Sequence, residues 1–88
     1  MADVWIPSLL QDLTGGQERI QLAGKTVRQV VEELEQQFPG IKDRLLESDQ
    51  LRPGIAVVVD GEISHLRLRH RLSDQSEVHF LPAIRGGC

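Results

Sequence analysis

The chain has 88 residues, of which 40% are hydrophobic and 26% charged, and it carries a net charge of −3. That length suits one domain with a modest core, and the acidic balance argues against bulk electrostatic capture of nucleic acid or an anionic membrane. Cys88 is the single cysteine, which excludes an internal disulfide and a cysteine-based zinc cage within one chain. The opening "MADVWIPSLL" lacks the basic start and long apolar run of a signal peptide, and the longest apolar run, "IAVVV", is too short to cross a bilayer. A cytoplasmic protein is expected.

"DVWIPSLL" places Val4 and Ile6 on one face and reads as a first strand, stopped near Pro7. "TGG" (Thr14 to Gly16) is turn material, and "ERIQL" alternates again with Ile20 and Leu22 inward, so the two strands predict a hairpin. "GKTVRQVVEELEQQFPG" is the clearest helix. Thr26 is the expected N-cap and Gln29 completes a capping-box pattern. Val27, Val30, Val31, Leu34 and Phe38 form one apolar stripe, and Pro39-Gly40 ends it. A second short helix is expected over "IKDRLLES", with Ile41, Leu45 and Leu46 facing in.

"GIAVVVDGEIS" reads as strand, turn, strand around Asp60-Gly61, a favoured pair for a two-residue hairpin. "HLRLRHRL" is expected to continue as an irregular or extended segment. "LSDQSEVHFLPAI" gives a turn at Ser73 to Ser76 and a last strand, with Val78 and Phe80 on one face and His79 and Leu81 on the other. The order ββαβ(β)β predicts an α+β fold of the β-grasp, ubiquitin-like type: a mixed four- to five-stranded sheet packed on one main helix. Residues 1–84 make the domain and 85–88 a flexible glycine tail ending in Cys88.

Several motifs invite chemistry and most of them fail. "AGKT" resembles the end of a phosphate loop, but the position of that loop's first glycine holds Arg19. His65, His70 and His79 lack metal-ligand spacing and read as surface residues. Arg67, Arg69 and Arg71 are expected along one strand edge, where charge blunts aggregation; docking an acidic partner ranks second, and a nucleic-acid stripe lacks stacking aromatics. Cys88 has no base or helix N-terminus to lower its pKa, so no catalytic residue is assigned. The glycine pair is the remaining signal. Gly86 and Gly87 can lie extended in a narrow slot, and three residues past Ile84 reach about 10 Å, enough to carry a carboxyl into another enzyme's site.

With those residues in place, the chain resembles the ThiS/MoaD family of ubiquitin-like sulfur carrier proteins. The likeness runs through "IPSLL", "TGGQ", "TVRQVVEELEQQFPGI", "LSDQSEV" and "VHFLPAIRGG". The combination of "IP" and "TGGQ" most resembles the CysO-type carriers of cysteine biosynthesis, while "FLPAIRGG" is also similar to the molybdopterin synthase small subunit. The resemblance implies a carrier and not an enzyme. A ubiquitin-activating-type adenylyltransferase would use ATP and Mg to adenylate the Gly87 carboxyl, and sulfide or a persulfide would then leave a thiocarboxylate. The chain itself would bind no cofactor. A sulfur-accepting synthase, such as a cysteine synthase, would take the sulfur. Gly86 lets the tail thread the channel, Leu81 and Ile84 are expected docking residues, and Arg85 is a charge contact. Cys88 blocks Gly87, since it ties up the carboxyl in a peptide bond. Its removal by a JAMM-type zinc peptidase would expose the reactive end; a cysteine added for chemical coupling is the other reading. "IRGG" also resembles ubiquitin's ending, which leaves open a modifier joined to lysines.

Overall fold

The computed structural model describes residues 1–52 and 54–82. Among these residues seven strands and two α-helices follow in order: β1 (Ala2–Trp5), β2 (Arg19–Leu22), α1 (Val27–Gln37), α2 (Ile41–Leu45), β3 (Leu46–Glu47), β4 (Gln50–Leu51), β5 (Ile55–Val59), β6 (Glu62–Ile63) and β7 (Glu77–Pro82). Five of the strands form one sheet in the order β2-β1-β7-β5-β6. β1 and β7 run parallel, and their neighbours pair antiparallel. The expected mixed sheet on one main helix is therefore the fold. The tail over 85–88, together with Ile84, lies outside the described residues.

Alternation sorts the sheet into two faces. Val4, Ile20, Leu22, Val57, Val59, Val78 and Phe80 are buried, and they share one cluster with Val27, Val30, Val31 and Leu34 of α1. The stripe on α1 thus covers the inner face, and its burial removes apolar area worth about 25 cal/mol per Å² from water. The capping box is present in a shifted form. Gln29 N donates to Thr26 Oγ1 at 3.2 Å, while the Gln29 side chain accepts from Lys25 N at 2.8 Å. Gly24, just before this cap, sits against α1, because a Cβ there would meet Val30 Cγ2 at 3.0 Å and Val30 N at 3.2 Å. That contact gives "AGKT" its structural role: a turn feeding a capped helix.

Glu35 joins the two helices. Its carboxylate accepts from Gly40 N at 3.2 Å and Lys42 N at 2.9 Å, which satisfies amides that α2 cannot bond internally. Ile41, Leu45 and Leu46 are buried as expected. The second helix, however, stops at Leu45 rather than running through Ser48. Ser48 and Asp49 both take left-handed φ angles, 53° and 65°, and turn β3 back onto β4. The Arg28 guanidinium holds this turn, bonding Asp49 Oδ1 at 3.0 Å and the Asp49 carbonyl at 3.1 Å.

The arginine run departs further from expectation. Arg67, Arg69 and Arg71 do not line a strand edge, since β6 ends at Ile63 and Arg67–Arg69 form a 3-10 turn. The cause is Ser64. Its oxygen accepts from Leu66 N and Arg67 N, both at 3.1 Å, which bends the backbone and swings Leu68 into the core. The same hydroxyl lies 2.7 Å from His70 Nδ1, within hydrogen-bond distance. His70 O in turn accepts from Val27 N at 3.0 Å and Lys25 O from Leu72 N at 2.8 Å, so this segment is fastened to the start of α1.

Candidate functional site: the outer sheet face and the end of the central strand

β7 is the middle strand of five, and the chain leaves it toward Gly86 and Gly87. Of the residues assigned to partner contact, Leu81 is described. It lies on the sheet face away from α1 and is 46% exposed. Ile84, Arg85, Gly86, Gly87 and Cys88 lie outside the described residues. The local cause of Leu81's exposure is plain. Val78 and Phe80 turn inward, so period-two alternation sends His79 and Leu81 outward.

Pairing then assembles what the sequence had scattered. Arg19 stands opposite Trp5, Trp5 opposite His79, His79 opposite Val58, and Val58 opposite Ile63. This row crosses all five strands on the outer face. Leu81 pairs with Ala56 in the next outward row. Trp5 and His79 stack with centroids 5.2 Å apart and planes 7° from parallel, and the Arg19 guanidinium lies 5.7 Å from the Trp5 ring centroid. Trp5 Nε1 is buried and has no hydrogen-bond partner among the described residues. Stacking, rather than hydrogen bonding, holds the indole in place between its cross-strand neighbours. His79 Nε2 also lies 3.7 Å from Glu77 Oε1.

The result is an apolar platform with a basic rim at Arg19, in which Ile63 is 65% exposed. Exposed apolar patches rimmed by polar groups mark contact surfaces. Sequence reading placed His79 and Leu81 together on the outward face of the last strand but missed Trp5, Val58 and Ile63 as their neighbours. A signal was available for Trp5, because it falls on the opposite parity from Val4 and Ile6. The other neighbours depend on register. No cluster of three His, Cys, Asp or Glu suited to a metal ion occurs among the described residues. Nor is any described helix long and apolar enough to cross a membrane.

The five-stranded mixed sheet around one capped helix makes this a ubiquitin-like β-grasp domain. The chain belongs to the ThiS family, whose sequence model matches residues 4–87. It is 33% identical over 91 residues to the sulfur carrier protein CysO of Mycobacterium tuberculosis, covering 96% of each chain. Its structure superposes with a TM-score of 0.91 on a chain of the Amycolatopsis orientalis BexX/CysO complex, at 31% identity, covering 99% of this chain and 100% of that one. The crystal structure of M. tuberculosis CysO gives a TM-score of 0.88 at 29% identity, covering 96% and 100%.

Proposed function

We propose that this protein is a sulfur carrier of the CysO kind, whose Gly87 carboxyl is converted by partner enzymes to a thiocarboxylate. The observation that carries the reading is the placement of the apolar outer face on the same central strand that leads into Gly86-Gly87. A partner seated on Leu81, Ile63 and Trp5 holds the chain where the glycine pair reaches into its active site. The near full-length likeness to CysO proteins supports the same reading.

The chemistry follows from the weakness of a carboxylate as an electrophile. The partner's ATP and Mg supply an adenylyl group to the Gly87 carboxylate, releasing pyrophosphate. Sulfide then attacks the acyl carbon and AMP leaves, giving the thiocarboxylate directly; a persulfide would give an acyl disulfide, whose S–S bond a thiol must reduce to free the same group. The sulfur so held is nucleophilic and protein-bound, ready for a sulfur-accepting synthase such as a cysteine synthase. This chain contributes binding and delivery, and its glycines let the enzyme's backbone approach closely. The peptide bond to Cys88 occupies the Gly87 carbonyl, so activation requires that a peptidase of the JAMM zinc type first remove Cys88.

Intact-mass spectrometry tests the sequence of steps. The chain ending at Gly87, incubated with ATP, Mg, sulfide and its adenylyltransferase, is expected to gain the mass of one oxygen replaced by sulfur. The chain retaining Cys88 is expected to stay unchanged until a peptidase is added. Thiocarboxylate on a chain that keeps Cys88 would refute the processing step. Gly-Gly remnants on target lysines, with no thiocarboxylate at any stage, would establish a modifier instead.

A further inference from the structure

Two of the arginines displaced from the strand edge, Arg67 and Arg69, line a groove of about 550 Å³ between the β3–β4 turn and the 3-10 segment. Arg28, Asp49 and Leu51 form one wall, and Leu66, Arg67 and Arg69 the other. Among the described residues Asp49 is the groove's only acidic side chain, and it is committed to Arg28 at 3.0 Å. Arg67 and Arg69 make no salt bridge among the described residues. Leu66 is 52% exposed beside them. Arg67 also takes a left-handed φ of 54°, a conformation that persists only where the surroundings over-determine it; here Ser64 does so. A molecule with net charge −3 therefore holds a basic, partly apolar groove in a fixed loop.

The groove is continuous with the outer sheet face. A second depression of about 260 Å³ is lined by Ala56 and Ile63 of that face and by His65 and Arg67 of the groove segment. A chain lying on the platform can therefore turn past β6 and meet the arginines without leaving the surface.

We propose that the groove receives an acidic, leucine-bearing segment of the protein that docks on the sheet face. This rests on the docking reading given above. Carboxylates would pair with Arg67 and Arg69, and a leucine would cover Leu66. Charge complementarity calls for an anionic partner, and the groove favours a peptide over single-stranded nucleic acid, because among the described residues no aromatic side chain lines it and bases would have no platform. It also favours a peptide over a small oxyanion. The backbone N–H groups of Leu66, Arg67, Arg69 and His70 already serve Ser64 Oγ and the Leu66 and Arg67 carbonyls, so they cannot cradle one.

The test uses a synthetic peptide, Glu-Glu-Leu-Glu-Glu-Leu-Glu, titrated into the isotope-labelled chain and followed by amide NMR. Shifts are expected over residues 48–51 and 65–69, weakening as salt rises. Arg67→Glu with Arg69→Glu should weaken binding by about tenfold or more. Arg67→Gly with Arg69→Gln removes the charges while accepting the left-handed backbone, and should weaken binding with the thermal midpoint kept. Absence of shifts in those two segments, binding indifferent to both double variants, or tighter binding of a single-stranded oligonucleotide would overturn the proposal. The peptide does not need the sheet face. If it binds in the groove while sheet-face variants leave activation untouched, the groove stands and the docking reading falls.

Discussion

At the scale of single residues, Gly24 seats the turn before α1 and Ser64 bends the segment after β6. Gly24 is chosen for room and not for an unusual backbone angle. A methyl group there has Val30 Cγ2 at 3.0 Å and Val30 N at 3.2 Å, and the latter belongs to a helix that cannot easily retreat. Gly24→Ala is expected to lower stability by about 1–3 kcal/mol, the usual cost of overpacking, read as a lower denaturant midpoint with unchanged slope. Ser64 is only 7% exposed, and its one oxygen organises two amides and an imidazole. Nothing in "EISHLRLRH" announces this, because the alternation of leucine and arginine suits a strand equally well. The hydroxyl decides otherwise by offering the backbone a competing turn. Leu68 then finds the core while Leu66 does not. Arg67 consequently reaches a groove that periodicity alone could not reveal.

Among the elements, α1 was legible in detail. Its cap residues, its apolar stripe and its stop at Pro39-Gly40 are local signals, and local signals survive tertiary packing. The β3–β4 turn was not legible. Two-residue turns with both φ angles positive favour Asn-Gly or Asp-Gly. Here they are built from Ser48 and Asp49, so the helical pattern of "IKDRLLES" carried past its true end. The compensation comes from Arg28 on α1, distant in sequence. Its hydrogen bond, and then its charge, hold the Asp49 carboxyl below the usual carboxylate range, and Asp49 raises Arg28 in return. Both groups are solvent-exposed, so the pair stabilises modestly. A lowered carboxylate in the folded state adds stability above its unfolded value and loses it as pH falls through the folded one. The expected outcome is selective loosening of residues 48–51 below the ordinary aspartate range, seen as lower amide protection there relative to the intrinsic exchange rate at the same pH. Asp49→Asn should abolish that acid sensitivity.

For the whole molecule, the apolar outer face is a product of register. Leu81 was readable from the last strand's alternation. Its partnership with Trp5 and Ile63 was not, because the parallel pairing of β1 with β7 joins opposite ends of the chain. Leu81→Asp and Ile63→Asp change exposed side chains, so the fold is expected to keep its thermal midpoint within a few tenths of a kcal/mol equivalent. Steady-state activation of the Gly87-ended chain should nevertheless show KM raised by about tenfold with kcat little altered, as expected when a contact hot spot is removed away from the chemistry. Equal KM values for variant and parent would remove the sheet face from the docking account.

The parallel β1–β7 pair also governs how the molecule bears load. An enzyme that grips the chain beyond Pro82 and pulls would draw β7 lengthwise between β1 and β5. Hydrogen bonds crossing that direction resist together, in shear, instead of opening one after another like a zipper. The strand that leads into Gly86-Gly87 is thereby the one least easily unravelled by being tugged.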